Sequence, residues 1–227
     1  MSFNTFKEFS IYKNFNKSPI LLHLCANITT PSSGNLTDWP DQSPYAHNIT
    51  IVGTPTVSNN EVFLPINEGI EIAYSDLSQQ LRDTVLNFSL HIYLYHELDH
   101  GLAYKKITGA VTDNYSVHFI NNIVFYISNS KGIALSSPLT NPYLNSFFVL
   151  SIVYNAGIVT FYVNGNLIFT QEEKGYYPTD PPDPTDLKLE FLGTTGTVLI
   201  KELLFTKTTD SAERVAQISN EIIARYV

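Results

Sequence analysis

The sequence predicts an all-β chain: two antiparallel sheets stacked as a sandwich, with one C-terminal helix. Three observations carry that reading. Residues 147–170, FFVLSIVYNAGIVTFYVNGNLIFT, hold apolar runs broken by Asn155-Ala156-Gly157 and Asn164-Gly165, the strongest short-range signal for hairpins. Short apolar segments recur along most of the chain with turn formers between them, the spacing of a two-sheet fold. Fourteen Tyr and fourteen Phe stand against one Met, and aromatic rings suit a half-buried pleated surface. A chain of 227 residues is long enough to fill one large β-domain.

Each element follows in order. Residues 1–18 are polar and aromatic, and read as an N-terminal arm or edge strand ahead of a domain spanning 19–227. Residues 20–24, ILLHL, form a buried strand. Residues 27–47 carry Pro31, Ser32, Ser33, Gly34, Pro40 and Pro44, and form a long loop. Strands are then expected over 48–52, 61–65, 69–73, 87–95, 102–106, 115–120, 122–128 and 132–135. The hairpin comes next, followed by strands over 187–192 and 198–206. Residues 175–186, GYYPTDPPDPTD, form an acidic proline-rich loop that cannot pair as a central strand. The spacing of Val215, Ile218 and Ile222 predicts a helix over 210–226. Asp210 caps it, with Glu213 three residues on as a capping-box partner.

Composition excludes several classes. The net charge is −8 and no basic stripe appears, which argues against a nucleic-acid surface that tracks phosphates. A single cysteine, Cys25, allows no intrachain disulfide and reads as a buried structural thiol. The first residues lack the apolar core of a secretory signal. No window approaches the ~18 apolar residues of a membrane helix, so no membrane insertion is expected. Sequons at Asn27, Asn35, Asn48, Asn87 and Asn114 carry little weight without such a signal.

Several segments occur in an order that resembles one superfamily. The hairpin core IVYNAGIVTFYVNGNLI, the opening ILLHL, Asp41-Gln42-Ser43-Pro44-Tyr45-Ala46-His47 and the N-x-T-x-x-G after it all fit. So do Phe88-Ser89-Leu90-His91-Ile92-Tyr93 and the closing VLIKELLF over 198–205. Together they resemble the concanavalin A-like, or laminin-G-like, jelly rolls over residues 20–226. The resemblance implies a jelly-roll sandwich whose members mostly bind carbohydrate or serve as adhesive or structural modules; a minority hydrolyse glycans. Some members hold calcium between carboxylates after the first strand and in the last one. Here Cys25 or Ala26 and Lys201 stand at those places, so calcium is disfavoured and no cofactor is expected. On this reading the Lys201 ammonium replaces part of the ion's charge.

Two motifs point toward enzymes and fall short. His96-Glu97-Leu98-Asp99-His100 matches the zinc-peptidase pattern H-E-x-x-H, which requires both histidines on one helical face. The preceding residues read as strand, and Gly101 follows at once. Glu97-Leu98-Asp99 echoes the glucanases of the jelly-roll group, but Leu102 stands where the second carboxyl belongs. His91 reads as a hydrogen-bonded strand residue, and Asp41, Ser43 and His47 as groups that lock a loop.

Sugar recognition needs flat aromatic faces beside polar groups on a surface. One loop offers Trp39, Asp41, Gln42 and Tyr45; a second offers Tyr176, Tyr177, Asp180 and Asp183. The second is equally suited to a subunit contact, including one between copies of this chain. The expected function is a non-catalytic carbohydrate- or receptor-recognition module, lectin-like, with a glycan or host-surface receptor as partner. A chain opening at Met1 without signal or disulfide suits a phage or viral particle assembled in the cytoplasm. The alternative is a virion structural protein that binds only other proteins of an assembly, using residues 1–18 as an arm. A glycoside hydrolase or zinc peptidase ranks last.

Overall fold

The computed structural model describes residues 20–76, 87–96, 100–108, 111–120, 122–128, 133–140, 145–155, 158–172, 188–195 and 198–227. In chain order the strands are β1 (Ile20–Cys25), β2 (Gly34–Asn35), β3 (Thr50–Val52), β4 (Thr56–Ser58), β5 (Glu61–Leu64), β6 (Gly69–Ile72), β7 (Asn87–His96) and β8 (His100–Thr108). They continue as β9 (Val111–Ile120), β10 (Asn122–Ser128), β11 (Ile133–Thr140), β12 (Ser146–Asn155), β13 (Ile158–Val163), β14 (Asn166–Glu172), β15 (Lys188–Thr195) and β16 (Val198–Thr206). One helix, α1 (Ala212–Ala224), follows. The expected arm 1–18 and the loop 175–186 lie outside the described residues.

The strands form two antiparallel sheets, as expected. A nine-stranded sheet runs β14-β13-β12-β7-β16-β5-β4-β2, with β1 also on β16; a seven-stranded sheet runs β11-β10-β9-β8-β15-β6-β3. β16 pairs with β7 along one side and with β5 and β1 in succession along the other. Strict alternation explains how the nine-stranded sheet is used on both faces. Phe88, Leu90, Ile92 and Leu94 of β7, with Phe148, Leu150, Ile152 and Tyr154 of β12, enter the main core. Ser89, His91, Tyr93, Val149, Ser151 and Val153 turn to the other face.

That outer face is covered by α1. Val215 packs with Val153 and Tyr162, while Ile218 and Ile222 pack with Ile20, Tyr93, Val149 and Leu204. Each of the three helix side chains contributes roughly 1.5–3 kcal/mol before ordering entropy is subtracted. The helix is also seated on the β13–β14 turn. Asn164 and Gly165 both have positive φ (48° and 79°), the requirement of a type I′ hairpin. A Cβ on Gly165 would lie 2.7 Å from Ala216 Cα of α1, so the turn and the helix touch through backbone. Asn164 bonds the Val149 backbone twice, donating its N–H to the carbonyl (2.9 Å) and accepting the amide through Oδ1 (2.8 Å).

Three details differ from expectation. The helix is capped by Ser211, whose hydroxyl accepts from the Arg214 N–H (3.3 Å), and not by Asp210, which is buried elsewhere. β2 falls in the segment read as loop, and β4 lies between the expected strands 48–52 and 61–65, where none is expected. β11 extends to Thr140, well past the expected 135.

Candidate functional site

Three buried polar clusters and one exposed rim stand out among the described residues. The first cluster closes the loop after β1. Asp41 Oδ1 accepts from the backbone N–H of His23 (2.9 Å) and of Ser43 (2.8 Å). Its Oδ2 accepts from the Ser43 hydroxyl (2.7 Å) and the His47 N–H (2.9 Å), and lies 2.7 Å from His47 Nδ1, which must carry a proton to bond it. Burial works against the charged carboxylate, yet the bonds from His47, His23 and Ser43 together hold its pKa below the ordinary aspartate value. The Gln42 N–H donates to the His23 carbonyl (2.8 Å), so the loop is pinned to β1 on both sides of one residue. Asp41, Ser43 and His47 therefore lock a loop, as the residue types suggest.

The second cluster has the members of a nucleophilic triad. His91 Nδ1 lies 2.8 Å from Ser151 Oγ, and His91 Nε2 lies 3.1 Å from Asp210 Oδ2. Asp210 Oδ2 also accepts from the Thr206 hydroxyl (3.1 Å), and the Asp210 N–H donates to Ser89 Oγ (2.9 Å). Ser151 and His91 have no exposed surface, so no substrate carbonyl reaches the hydroxyl. The network staples the start of α1 to β7, β12 and β16.

The third cluster lies under the other end of α1. His23 Nε2 stands 2.8 Å from Glu202 Oε1 and 3.1 Å from Cys25 Sγ, and the Arg225 guanidinium pairs with the same Glu202 oxygen. Burial first, then the Glu202 carboxylate, push the Cys25 thiol's pKa up, so it is a neutral buried thiol. Thiol, imidazole, guanidinium and one carboxylate do not fit calcium, which wants six to eight oxygens.

Lys201 does not serve this cluster, contrary to expectation. A bulge between Ile200 and Glu202 makes Lys201 the extra residue opposite β7. Its ammonium sits 4.1 Å from the Phe147 ring centre, within 6 Å of the Tyr93 and Tyr226 rings, and 3.5 Å from Glu61 Oε1. The counter-charge for Glu202 is Arg225, at the C-cap of α1.

The expected binding residues separate in the structure. Trp39 is only 1% exposed and belongs to the main core, so it offers no stacking face; a ring read as a platform is a core side chain. Asp41 is spent on its loop. Gln42 is exposed, and Tyr45 is partly buried with its ring 5.7 Å from that of His47. These two remain at the rim. Tyr176, Tyr177, Asp180 and Asp183 lie outside the described residues, as do Glu97, Leu98 and Asp99. Strand reaches His96 from one side and leaves His100 on the other, each in a different sheet. His96 and His100 are thus strand residues and do not share the helical face that H-E-x-x-H requires. Sequence reasoning missed Ser151, His23, Glu202 and Arg225. Alternation in ILLHLC puts His23 and Cys25 on one face, but nothing local pairs His23 with a residue 179 positions away.

No family model and no curated protein matches the chain. Solved structures match its fold. The receptor-binding domain of botulinum neurotoxin C/D mosaic serotype is similar at 15% identity and a TM-score of 0.66, over 91% of this chain and 52% of that one. Botulinum neurotoxin type C, whose cell entry is described as dependent on two ganglioside molecules, matches at 15% and 0.66 over 90% and 51%. The serotype D ligand-binding domain in complex with N-acetylneuraminic acid matches at 16% and 0.63, over 91% and 52%. The chain thus spans about half the length of the solved chains it matches. At this identity the likeness shows the β-sandwich fold.

Proposed function

We propose that this chain is a non-catalytic carbohydrate- or receptor-recognition module of the concanavalin A-like jelly-roll type, carried on a virion or another surface assembly. The observation that carries the reading is the fold likeness over 91% of the chain to neurotoxin domains that bind receptors, one of them holding N-acetylneuraminic acid. Fold alone does not assign a ligand, so the site has to be argued separately. Gln42 and Tyr45 supply an amide and an aromatic edge at the rim, on a loop held rigid by Asp41 from beneath. Tyr176, Tyr177 and Asp180 are proposed as further binding residues on the strength of their chemistry in the sequence. Rigid presentation limits the ordering entropy lost on binding, which favours weakly held ligands such as sugars.

The test is a glycan array that includes sialylated oligosaccharides and gangliosides, run with the full chain, Tyr45→Ala and Tyr176→Ala. The expected result is selective binding that either variant loses while its melting temperature stays within a few degrees. Absence of any glycan signal from the folded full chain would refute it. A second reading, an assembly protein that binds only other proteins, draws on Leu167, which is 60% exposed on the edge strand β14. Particle binding that survives Tyr45→Ala and Tyr176→Ala, and is lost on deleting residues 1–18, would favour that reading.

A further inference from the structure

Two neighbouring strands bring three ligand-type side chains to one spot beneath the end of α1. Alternation puts His23 and Cys25 on the same face of β1, and the register sets Glu202 of β16 directly across from Cys25. One donor atom from each lies within 4.8 Å of the other two, and all three residues are buried. A second observation is independent of that spacing. Glu202 Oε2, on a residue with no exposed surface, accepts no hydrogen bond. The nearby Tyr226 hydroxyl donates to the Lys201 carbonyl (2.8 Å), and burial, then the Glu202 carboxylate that it also feels, push its pKa up. Buried carboxylate oxygens are nearly always partnered by protein, water or an ion.

We propose that His23, Cys25 and Glu202 form a binding site for a borderline-soft divalent cation, with zinc the best match. Thiolate sulfur, imidazole nitrogen and carboxylate oxygen are zinc's ordinary ligands, whereas calcium and magnesium take oxygen. Zinc bonds of about 2.0 Å to nitrogen and oxygen and about 2.3 Å to sulfur set tetrahedral donors roughly 3.3–3.6 Å apart. The His23–Glu202 and His23–Cys25 separations of 2.8 and 3.1 Å need to open by a fraction of an ångström, and the sulfur-to-carboxylate distance, within 4.8 Å, has to settle to the same range. Glu202 Oε2 then supplies a further donor by making the carboxylate bidentate. As the Zn–S bond forms, the Cys25 thiol proton leaves to solvent. His23 binds through the Nε2 lone pair, with its ring proton on Nδ1. The dication is balanced by one thiolate and one carboxylate. Arg225, whose side chain is 21% exposed, stays against the carboxylate from the solvent side and fixes its orientation.

The experiment uses the full chain without an affinity tag, stripped with chelator and then titrated with Zn²⁺ and with Co²⁺. The expected result is one zinc per chain retained through dialysis, and a sulfur-to-cobalt charge-transfer band with Co²⁺. Melting should rise by roughly 5–10 °C at a metal concentration about 100 times Kd. Cys25→Ala, an apolar replacement for a buried thiol, should abolish the band and the shift. His23→Asn should weaken binding by more than about 100-fold, beyond the loss expected from a residue that merely orients a ligand. A folded wild-type chain that gives no such band overturns the proposal. So does zinc stoichiometry unchanged in Cys25→Ala, because the metal would then sit on other histidines. Should Cys25→Ala fail to fold, the wild-type cobalt spectrum still decides, since the chain has one cysteine and only Cys25 can give a sulfur band.

Discussion

Gly165→Ala tests whether α1 is seated on the hairpin turn. Two costs add at this position. The backbone stands at φ +79°, where an L side chain costs about 1–2 kcal/mol. The new Cβ would also lie 2.7 Å from Ala216 Cα and 3.1 Å from its Cβ, so the helix has to shift, an overpacking penalty of about 1–3 kcal/mol. The sum is about 2–5 kcal/mol, which for a chain of this size corresponds to a melting temperature lower by roughly 5–15 °C. Gly34→Ala separates the two contributions. Gly34 has φ +95° with nothing within 4 Å of the added carbon, so it reports strain without collision and should cost only about 1–2 kcal/mol. Urea unfolding followed by circular dichroism measures both variants on one scale. A Gly165→Ala protein no less stable than Gly34→Ala would refute the contact between turn and helix.

Three other perturbations probe the buried clusters. Asp41 has a pKa below its unfolded value, so its stabilisation is complete above roughly pH 4 and is lost as pH falls through the lowered folded value. Asp41→Asn should therefore cost about 2–4 kcal/mol at pH 7 and flatten the acid limb of a urea-midpoint series. An acid limb as steep as wild type would count against the lock. Trp39→Ala should lower stability by about 3–5 kcal/mol, because it empties a core position; a fully stable Trp39→Ala protein would show the ring is not core. Ser211→Ala should cost about 1 kcal/mol as a lost helix cap. Asp210→Ala should cost clearly more, since it leaves the buried His91 Nε2 without its partner and removes one acceptor of the Thr206 hydroxyl. Equal effects in thermal melts would contradict that division of labour.

Much of the architecture was legible because its signals are local. Asn164-Gly165 announces a type I′ turn through its need for two positive φ angles. The 3.6-residue spacing of Val215, Ile218 and Ile222 announces the helix. Where the decisive partner is distant, the reading failed. β2 and β4 are two and three residues long and exist only because other strands lie beside them. Asp210 looked like a cap because its pull toward His91, 119 positions away, is invisible locally. A bulge turned Lys201 among aromatic rings, and no residue type marks a bulge at that spot. Trp39 shows the limit for sites. A tryptophan among prolines and polar residues reads as surface, although the fold closes over it.

The central place of β16 bears on how the protein is made. Its partners β1, β5 and β7 emerge from the ribosome more than a hundred residues before it does, and each must wait for that last ribbon. Ordering of the larger sheet is thus a late event during synthesis, slow by contact-order reasoning, with earlier segments exposed to mispairing in the meantime. Nascent chains halted shortly before residue 198 should stay protease-sensitive and chaperone-bound, and acquire resistance once β16 clears the exit tunnel.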